Sequence, residues 1–262
     1  MGIVPVAGVK GSPGITTAAL VCAAVWPERR GAPLVIECDP GGGDVAARFG
    51  LEVIPGVVSL AAELERGGDV DAARAVELIG PHAQGLPGGL GVVVAPTSPE
   101  EMRLPLERLA EDLPLLAQGA LDLIVDCGRL ESAGMRERTA IMRLIQRSGV
   151  VVVVVRPELP PLQHLNVWLS ALSALRVEVL VLLCGRGPYS ADDIERTMGV
   201  RVIGALPHDS TAASVIGGAS GPRPGRLPLF RAARVATEAI VEHLGGAGRG
   251  VGQVVALVEE AR

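Results

Sequence analysis

A glycine-rich stretch near the start of the chain carries the residue types of a phosphate-binding loop. It reads GVKGSPGITTAAL from Gly8 to Leu20 and follows the apolar run Ile3–Ala7. A buried strand, a glycine-rich turn and a helix form the context in which backbone N–H groups and a helix N-terminus bind phosphate. The sequence therefore predicts a nucleotide site at this turn.

Lys10 is a second reason to expect phosphate chemistry in this loop. The chain has 24 lysine and arginine residues, and Lys10 is the only lysine among them. A preference for arginine is typical of a GC-rich genome, but it does not explain why the one lysine stands in the loop. Because a compact ammonium fits a narrow phosphate site where a broad guanidinium does not, Lys10 is a candidate binding residue.

Acidic side chains follow two other apolar runs. ECDPGGG places Glu37 and Asp39 at the end of one run, and LDLIVDCGRL places Asp126 at the end of another. Carboxylate and hydroxyl oxygens are ligands that Mg²⁺ takes beside phosphate oxygens, so Asp126 and the hydroxyl of Thr16 are candidate ligands. The carboxyl ends of parallel strands meet at one edge of a sheet, and we therefore expect Lys10, Thr16, Asp39 and Asp126 around one cleft.

Short apolar runs alternate with helical patterns along the chain. The predicted strands are Ile3–Ala7, Leu34–Cys38, Gly91–Ala95, Leu121–Cys127, Val150–Val155, Val177–Cys184 and Val202–Ala205. The predicted helices are Thr16–Val25, Ser59–Glu65, Val70–Ile79, Pro99–Gly119, Met135–Gln146, Pro161–Leu175, Ala191–Met198 and Pro228–Leu244. Continuous Val/Leu/Ile runs are typical of strands covered on both faces. The pattern predicts an α/β fold with a doubly wound, mostly parallel sheet and helices on both faces.

Composition limits the classes of function. A length of 262 residues suits one large α/β domain, and a net charge of −5 argues against broad contact with nucleic acid or anionic lipid. The four cysteines are far apart, and no apolar stretch is long enough to span a membrane. We therefore expect a cytoplasmic protein in which DNA binding is weak.

These motifs resemble the ParA/MinD family of deviant-Walker P-loop ATPases, of the SIMIBI class, over roughly residues 1–244. The family loop reads K-G-G-x-G-K-[ST]-T. The residues aligned with it here, and that the resemblance implies are nucleotide-binding, are Lys10, Gly11, Ser12, Pro13, Gly14, Ile15, Thr16 and Thr17. The stretch VRVIGALPHDS resembles the family segment near the base and ribose, which implies the same role for Pro207 and Asp209.

The resemblance also implies specific roles and ligands. ATP and Mg²⁺ are the expected ligands, with Thr16, Asp39 and Asp126 holding Mg²⁺ partly through water. Lys10 falls on the signature lysine that reaches the partner's phosphates in a homodimer formed across the nucleotide. Asp39 falls on the aspartate that orients the attacking water, and Asp126 falls on the Walker B aspartate. Lys10 and Asp39 are thus the expected catalytic residues.

The chain departs from the family pattern at three places. Ile15 stands where the family has the lysine that holds the β- and γ-phosphates, and Ser12 replaces a glycine. Gly185-Arg186 stands where the family has the Asn-Arg pair whose amide reads adenine. Because phosphoryl transfer is catalysed mainly by electrostatic stabilisation, we expect little or no ATP hydrolysis. Arg129, directly after the Asp126 strand, is a candidate substitute cation, the alternative being a solvated loop residue.

We therefore expect a nucleotide-responsive positioning or assembly factor. Its degenerate loop is closest in character to atypical TadZ/CpaE-like members, which act with pilus or secretion machinery, and a partitioning protein comes next. One alternative is a working Mg²⁺-dependent ATPase with a substitute for the loop lysine, and another is a dimeric scaffold that binds no nucleotide. Residues 245–262 are expected to form a glycine-rich hinge and a short C-terminal helix or tail. Recruitment by a partner to a cell pole or to the inner membrane face fits these roles.

Overall fold

The computed structural model describes residues 2–66, 74–118, 121–130, 139–216, 219 and 221–245. The strands within this part are β1 (Ile3–Gly8), β2 (Leu34–Glu37), β3 (Gln84–Gly85), β4 (Gly91–Val93), β5 (Leu123–Arg129), β6 (Val150–Val155), β7 (Glu178–Cys184) and β8 (Arg201–Leu206). The α-helices are α1 (Ile15–Ala24), α2 (Val45–Phe49), α3 (Val57–Arg66), α4 (Ala75–Ile79), α5 (Pro99–Leu116), α6 (Ala140–Ser148), α7 (Leu159–Ala174), α8 (Ala191–Met198), α9 (Ser210–Ile216) and α10 (Pro228–His243).

The strands form one sheet in the order β3-β4-β2-β5-β1-β6-β7-β8. Every neighbouring pair is parallel except β3 and β4, which are antiparallel. Strand β1 lies between β5 and β6, so the loop that follows it opens at the middle of the sheet's carboxyl edge. This architecture confirms the predicted α/β fold with a mostly parallel, doubly wound sheet.

A separate hydrophobic core covers each face of the sheet. Strand β6 shows how one sequence serves both cores, because its six residues are all valine. Val150, Val152 and Val154 pack against α1 and α10, while Val151, Val153 and Val155 pack against the helices of the other face. Side chains alternate along a strand, so an unbroken apolar run is what a strand buried on both faces requires.

Asp122 links the amino ends of β1 and β5 to the segment after α1 by buried hydrogen bonds. Its two carboxylate oxygens accept hydrogen bonds from the Gly2 N–H at 2.8 Å and from Trp26 Nε1 at 2.9 Å. Both oxygens also receive the guanidinium of Arg30, at 2.6 and 2.8 Å, in a pair that is almost completely buried. A buried ion pair persists only when its polar atoms are satisfied in this way. These bonds join the starts of β1 and β5 to the segment between α1 and β2.

Three elements are absent from the sequence-based prediction, namely β3, α2 and α9. They have two to seven residues each, too few for a clear periodic pattern. Several predicted boundaries were also wrong by one to three residues. Helix α6, predicted to end at Gln146, continues to Ser148, where Gly149 with φ 72° closes it. Predicted residues 70–73 and 135–138 and the tail 246–262 lie outside the described residues.

Candidate functional site

The glycine-rich loop joins the end of β1 to the start of α1. It is held beside β5 because the Leu130 N–H donates to the Gly8 carbonyl at 2.8 Å. Gly11 has φ +67° and Gly14 has φ +89°, values in the left-handed region that favours glycine. A Cβ on Gly11 would meet nothing within 4 Å, so the space in front of the loop is open. The loop thus turns its backbone outward without blocking the space that it faces.

The N-terminus of α1 has the properties of an anion site. The first N–H bonded within this helix is that of Ala18, which donates to the Gly14 carbonyl at 2.8 Å. No side chain caps this end of the helix. The N–H groups of Ile15, Thr16 and Thr17 therefore have no intrahelical acceptor, and the positive end of the helix dipole faces the same space. These donors fit the phosphate groups of a nucleotide.

Ile15 points its side chain into the body of the protein. It is 8% exposed and belongs to the core formed by α1 and α10. Its Cδ1 lies 2.6 Å from the position that a Cβ on Gly8 would take, and Pro13 Cγ lies 3.4 Å from the same position. The interior of the loop is thus filled by apolar atoms. A phosphate bound here would be held by N–H groups, with no cation from the position before Thr16.

The structure brings Thr16, Asp39 and Asp126 together at the carboxyl ends of β1, β2 and β5. The hydroxyl of Thr16 lies close enough to the Asp126 carboxylate to lower its pKa, and this carboxylate accepts the Gly128 N–H at 3.1 Å. Asp39 packs directly on Gly128, since a Cβ there would lie 2.1 Å from Asp39 Cγ. Gly128 has φ +59°, so both its backbone conformation and this contact require glycine. The arrangement places a hydroxyl and two carboxylates beside the uncapped N-terminus of α1.

The same residues fit Mg²⁺ in the way that phosphate-dependent sites bind it. Among the described residues, no group of three His, Cys, Asp or Glu side chains is arranged to hold a metal ion. Mg²⁺ in nucleotide sites takes one or two protein carboxylates and completes its shell with phosphate oxygens and water. Asp39 and Asp126, with the Thr16 hydroxyl, match that donor set, so a metal here would be bound together with the nucleotide.

Glu37 shapes the segment that carries Asp39. Its Oε1 accepts the N–H groups of Asp44 and Val45 at 3.0 Å, and its Oε2 accepts the Ala95 N–H at 2.9 Å. Burial raises the pKa of Glu37 to about 7, against the three N–H bonds that lower it. The sequence places Glu37 at a strand end but indicates no role for it. Its three backbone partners identify it as the residue that fixes the turn between β2 and α2.

Asp126 has an elevated pKa for the same main reason. It is 2% exposed, and burial raises its pKa from the ordinary 3.8 to about 6. The Thr16 hydroxyl and the Gly128 N–H lower the pKa, while the charges of Asp39 and Asp44 raise it. The stability contributed by the protonated form is complete below pH 3.8 and is lost as pH rises through 6. At neutral pH the ionised carboxylate is thus a destabilising group that only a cation would compensate.

Replacing Asp126→Asn should stabilise the ligand-free protein at pH 7.5 by about 1–3 kcal/mol. The amide keeps an oxygen for the Gly128 N–H but removes the buried negative charge. The advantage should shrink as pH falls toward 4, because the natural carboxyl is then protonated. Urea unfolding at pH 7.5 and pH 5 measures both effects. Glu52→Gln, an exposed carboxylate, is the control and should alter stability little. An Asn variant less stable than the natural protein at pH 7.5 would contradict the expectation.

A cavity of about 380 Å³ opens beside the loop. Ser12, Gly14 and Thr17 line one side of it, and Pro207 and Asp209 line the other. Asp209 also has a local role, since its carboxylate accepts the Ala212 N–H at 2.9 Å and the Leu229 N–H at 3.4 Å. It therefore orients the starts of α9 and α10. The volume lies in the range of small-ligand sites, and the cavity adjoins the uncapped end of α1.

Two exposed cations that received no ligand role from the sequence also line this cavity. Arg156 directly follows β6, and Arg186 lies two residues beyond β7. The register of β6 pairs Val154 with Gly8, which places Arg156 beside the loop. The sequence signal for Arg156 is its position just after a predicted strand, while Arg186 also stands in the place of the arginine of the family's Asn-Arg pair. Arg129, the candidate substitute cation, is the exposed last residue of β5 opposite Gly8, and it does not line the cavity.

Lys10 lies at the outer rim of the loop. Its side chain is exposed, as are Gly11 and Ser12 next to it. It forms no ion pair with any residue in the described part of the chain. A cation in this position faces away from the protein's own loop interior, where Ile15 packs. It is therefore accessible to a ligand or to a second molecule.

No family model and no curated protein matches the sequence. Solved structures do match the fold. The cell division ATPase MinD of Pyrococcus furiosus has a TM-score of 0.70 at 15% identity, covering 93% of this chain and 99% of that one. MinD of Pyrococcus horikoshii, solved with Mg-ADP, has a TM-score of 0.66 at 14% identity, covering 93% and 97%. A ParA family ATPase of Chlorobium tepidum has a TM-score of 0.63 at 14% identity, covering 100% and 98%. The chain thus has a ParA/MinD-like fold.

Proposed function

We propose that this protein, which shares the fold of MinD and ParA family ATPases, is a nucleotide-binding positioning or assembly factor with weak or no hydrolysis. The observation that carries the proposal is the uncapped N-terminus of α1, which follows a loop open at Gly11 and adjoins Thr16 and Asp126. MinD of Pyrococcus horikoshii was solved with Mg-ADP. The resemblance implies ATP, and the phosphate half of the site is common to all nucleoside triphosphates.

Each residue of the loop region has a specific part in this proposal. The N–H groups at the start of α1 bind phosphate oxygens, and residues Lys10 to Thr17 enclose them. Thr16, Asp39 and Asp126 hold Mg²⁺, which when bound supplies positive charge to the phosphate oxygens. Asp39, oriented by the Gly41 N–H at 2.7 Å, holds a water near the terminal phosphate. Ile15 supplies no charge where it builds up during phosphoryl transfer, so hydrolysis is slow.

Nucleotide binding then acts through association between copies of the chain. Lys10 is exposed at the loop rim, where it would meet the nucleotide of a second protomer in a homodimer. Such a dimer would present a surface to a protein partner of a pilus, secretion or partitioning apparatus, in the manner of TadZ/CpaE-like proteins. The net charge of −5 keeps DNA a weak partner. No helix in the described part of the chain is long and apolar enough to cross a membrane, and we propose that a partner recruits a cytoplasmic protein to its place.

Two observations favour the alternative functions, a working ATPase and a scaffold that binds no nucleotide. Arg156 lines the same cavity as Gly14, and this cation beside the loop favours a working Mg²⁺-dependent ATPase with a substitute for the missing lysine. The packing of Ile15 and Pro13 beneath Gly8 lets the loop form without any phosphate, which favours a dimeric scaffold that binds no nucleotide.

Calorimetry and phosphate release separate the three functions. We expect ATP or GTP with Mg²⁺ to bind the full chain in calorimetry, while phosphate release stays near background. Binding together with steady phosphate release would establish the working ATPase instead. If neither nucleotide binds at millimolar concentration, the scaffold function replaces the proposal.

A further inference from the structure

The cavity beside the loop is lined by an unusual set of charged side chains. Arg156, Glu158 and Arg186 line it, and none of them forms an ion pair with any residue that the structure describes. The described lining contains no asparagine and no glutamine. Every functional group that these three side chains offer to a ligand is therefore either purely a donor or, in the ionised state, purely an acceptor.

Glu158 is the carboxylate of the cavity that is available to a ligand. The other one, Asp209, already accepts N–H groups from α9 and α10. Glu158 stands at the N-cap of α7 but makes no side-chain capping bond. Its side chain makes no hydrogen bond to any other described residue, and it is only half-buried. A ligand that reaches this end of the cavity would thus find one carboxylate with both oxygens accessible.

The two arginines occupy different positions along the cavity. Arg156 lies on the loop side, because β6 is the neighbour of β1. Arg156 also acts on Cys184. Burial raises the pKa of the Cys184 thiol, and the positive charge of Arg156 lowers it. Arg186 lies two residues beyond Cys184, where the lining continues to Pro207 and His208. Arg156 is therefore suited to phosphate or ribose oxygens.

Arg186 lies near the segment after β8, since the Gly185 N–H donates to the Leu206 carbonyl at 2.9 Å, and Glu158 adjoins it because the Pro157 carbonyl lies against Gly187. The resemblance assigns this segment to the base and ribose, and this part of the cavity is called the base end.

Purine bases differ in how their edges match such groups. Guanine presents two neighbouring acceptors, O6 and N7, which suit the two-donor fork of a guanidinium. It also presents two neighbouring donors, N1–H and the N2 amino group, which suit the two oxygens of a carboxylate. Adenine combines one donor and one acceptor on each of its two edges, the pattern that an asparagine or glutamine amide recognises. A guanidinium accepts no hydrogen bond and an ionised carboxylate donates none, so each would oppose one group of adenine.

We infer that the base end of this cavity takes guanine, with Arg186 donating to O6 and N7 and Glu158 accepting from N1–H and the N2 amino group. The inference rests on the proposed nucleotide-binding function and identifies the base. It also agrees with the absence of an amide side chain at Gly185-Arg186, the position that reads adenine in the family that the sequence resembles.

The test is a comparison of Mg-GTP and Mg-ATP binding to the full chain by calorimetry. We expect GTP to bind at least about tenfold more tightly, the discrimination typical of a bidentate contact. Equal affinities for GTP and ATP, or a preference for ATP, would overturn the inference while leaving the proposed function intact. If neither nucleotide binds, both the proposed function and this inference fail.

Variants distinguish base recognition from general charge. Arg186→Ala and the isosteric Glu158→Gln should each reduce the GTP-to-ATP affinity ratio to near one. Arg186→Lys keeps the charge without the fork, and its ratio should stay well below that of the natural protein. The control is Arg103→Ala, an exposed arginine on α5 that does not line the cavity, and its ratio should match the natural one. If Arg186→Ala weakens GTP and ATP by the same factor, Arg186 is a phosphate-binding cation and the inference is wrong.

Discussion

Ile15→Lys is expected to raise the affinity for a Mg²⁺-nucleoside triphosphate about 10- to 100-fold, the effect of one added charged hydrogen bond. A lysine at this position starts from the first turn of α1, where the N–H groups without intrahelical partners already face the phosphate space. Its ammonium adds a charge aimed at the β- and γ-oxygens. Because charge on those oxygens grows in the transition state, phosphate release should increase as well.

The same substitution should weaken the ligand-free fold. Ile15 is buried against Gly8, and a lysine gives up that apolar packing, at a cost of about 1–3 kcal/mol. A lower melting temperature without nucleotide and a larger nucleotide-induced rise are therefore expected together. Ile15→Met is the matched control, since it changes the shape of the side chain but adds no charge, and it should not gain affinity.

Equal phosphate release by the natural protein and by Ile15→Lys would contradict this expectation. In that case another cation already supplies the charge, and the working ATPase becomes the better function. Arg156→Ala then identifies that cation, because Arg156 lines the cavity beside Gly14. Loss of phosphate release in Arg156→Ala would assign it the role that the family gives to a loop lysine.

Lys10→Ala is expected to abolish any nucleotide-dependent shift from monomer to dimer. The lysine is exposed at the loop rim and forms no ion pair within the described part of the chain, so the monomer should fold as before. If Lys10 contacts the phosphates bound by a second protomer, nucleotide binding and dimerisation are coupled, and its loss uncouples them. Analytical ultracentrifugation with and without Mg²⁺-nucleotide measures the shift.

Lys10→Arg is the sharper variant, because it keeps the charge and changes only the shape of the cation. We expect it to fail as Lys10→Ala does, since a guanidinium is too broad for a narrow phosphate site. Arg103→Ala again serves as the control and should dimerise like the natural protein. Dimerisation of both Lys10 variants, or a natural protein that ignores nucleotide, would leave the single lysine without a role in association.

The arrangement of Thr16, Asp39 and Asp126 could be anticipated because it depends on strand order alone. Asp39 follows β2, Thr16 lies in the first turn of the helix after β1, and Asp126 lies in β5 level with the end of β2, and such positions share the carboxyl edge. The boundaries of short elements could not be anticipated in the same way. Helix α9 has seven residues, begins at Ser210 beside Asp209, and owes its position to packing against α1 and α10. A segment of that length has too little periodicity to be recognised without its neighbours.

Arg156 and Glu37 illustrate what the sequence left open. Arg156 is one arginine among many, and only the β1–β6 pairing places it beside the loop. Glu37 was recognised as a carboxylate at a strand end, whereas its bonds to Asp44, Val45 and Ala95 depend on how the following turn folds back. Both roles arise from contacts between residues far apart in the chain or in an irregular turn.

By itself, the sequence determined the α/β architecture, the position of the loop and the edge of the sheet at which its chemistry would lie. These features follow from local patterns, namely apolar runs buried on both faces and glycines between a strand and a helix. Only the tertiary structure decided that Ile15 fills the loop from beneath, that Asp126 is buried with a raised pKa, and that Arg186 and Glu158 share a cavity with the loop. The physical reason is that burial, the coupling between charges and the sharing of a cavity depend on which residues are neighbours in space. The crossovers between strands make residues that are distant in the chain into such neighbours.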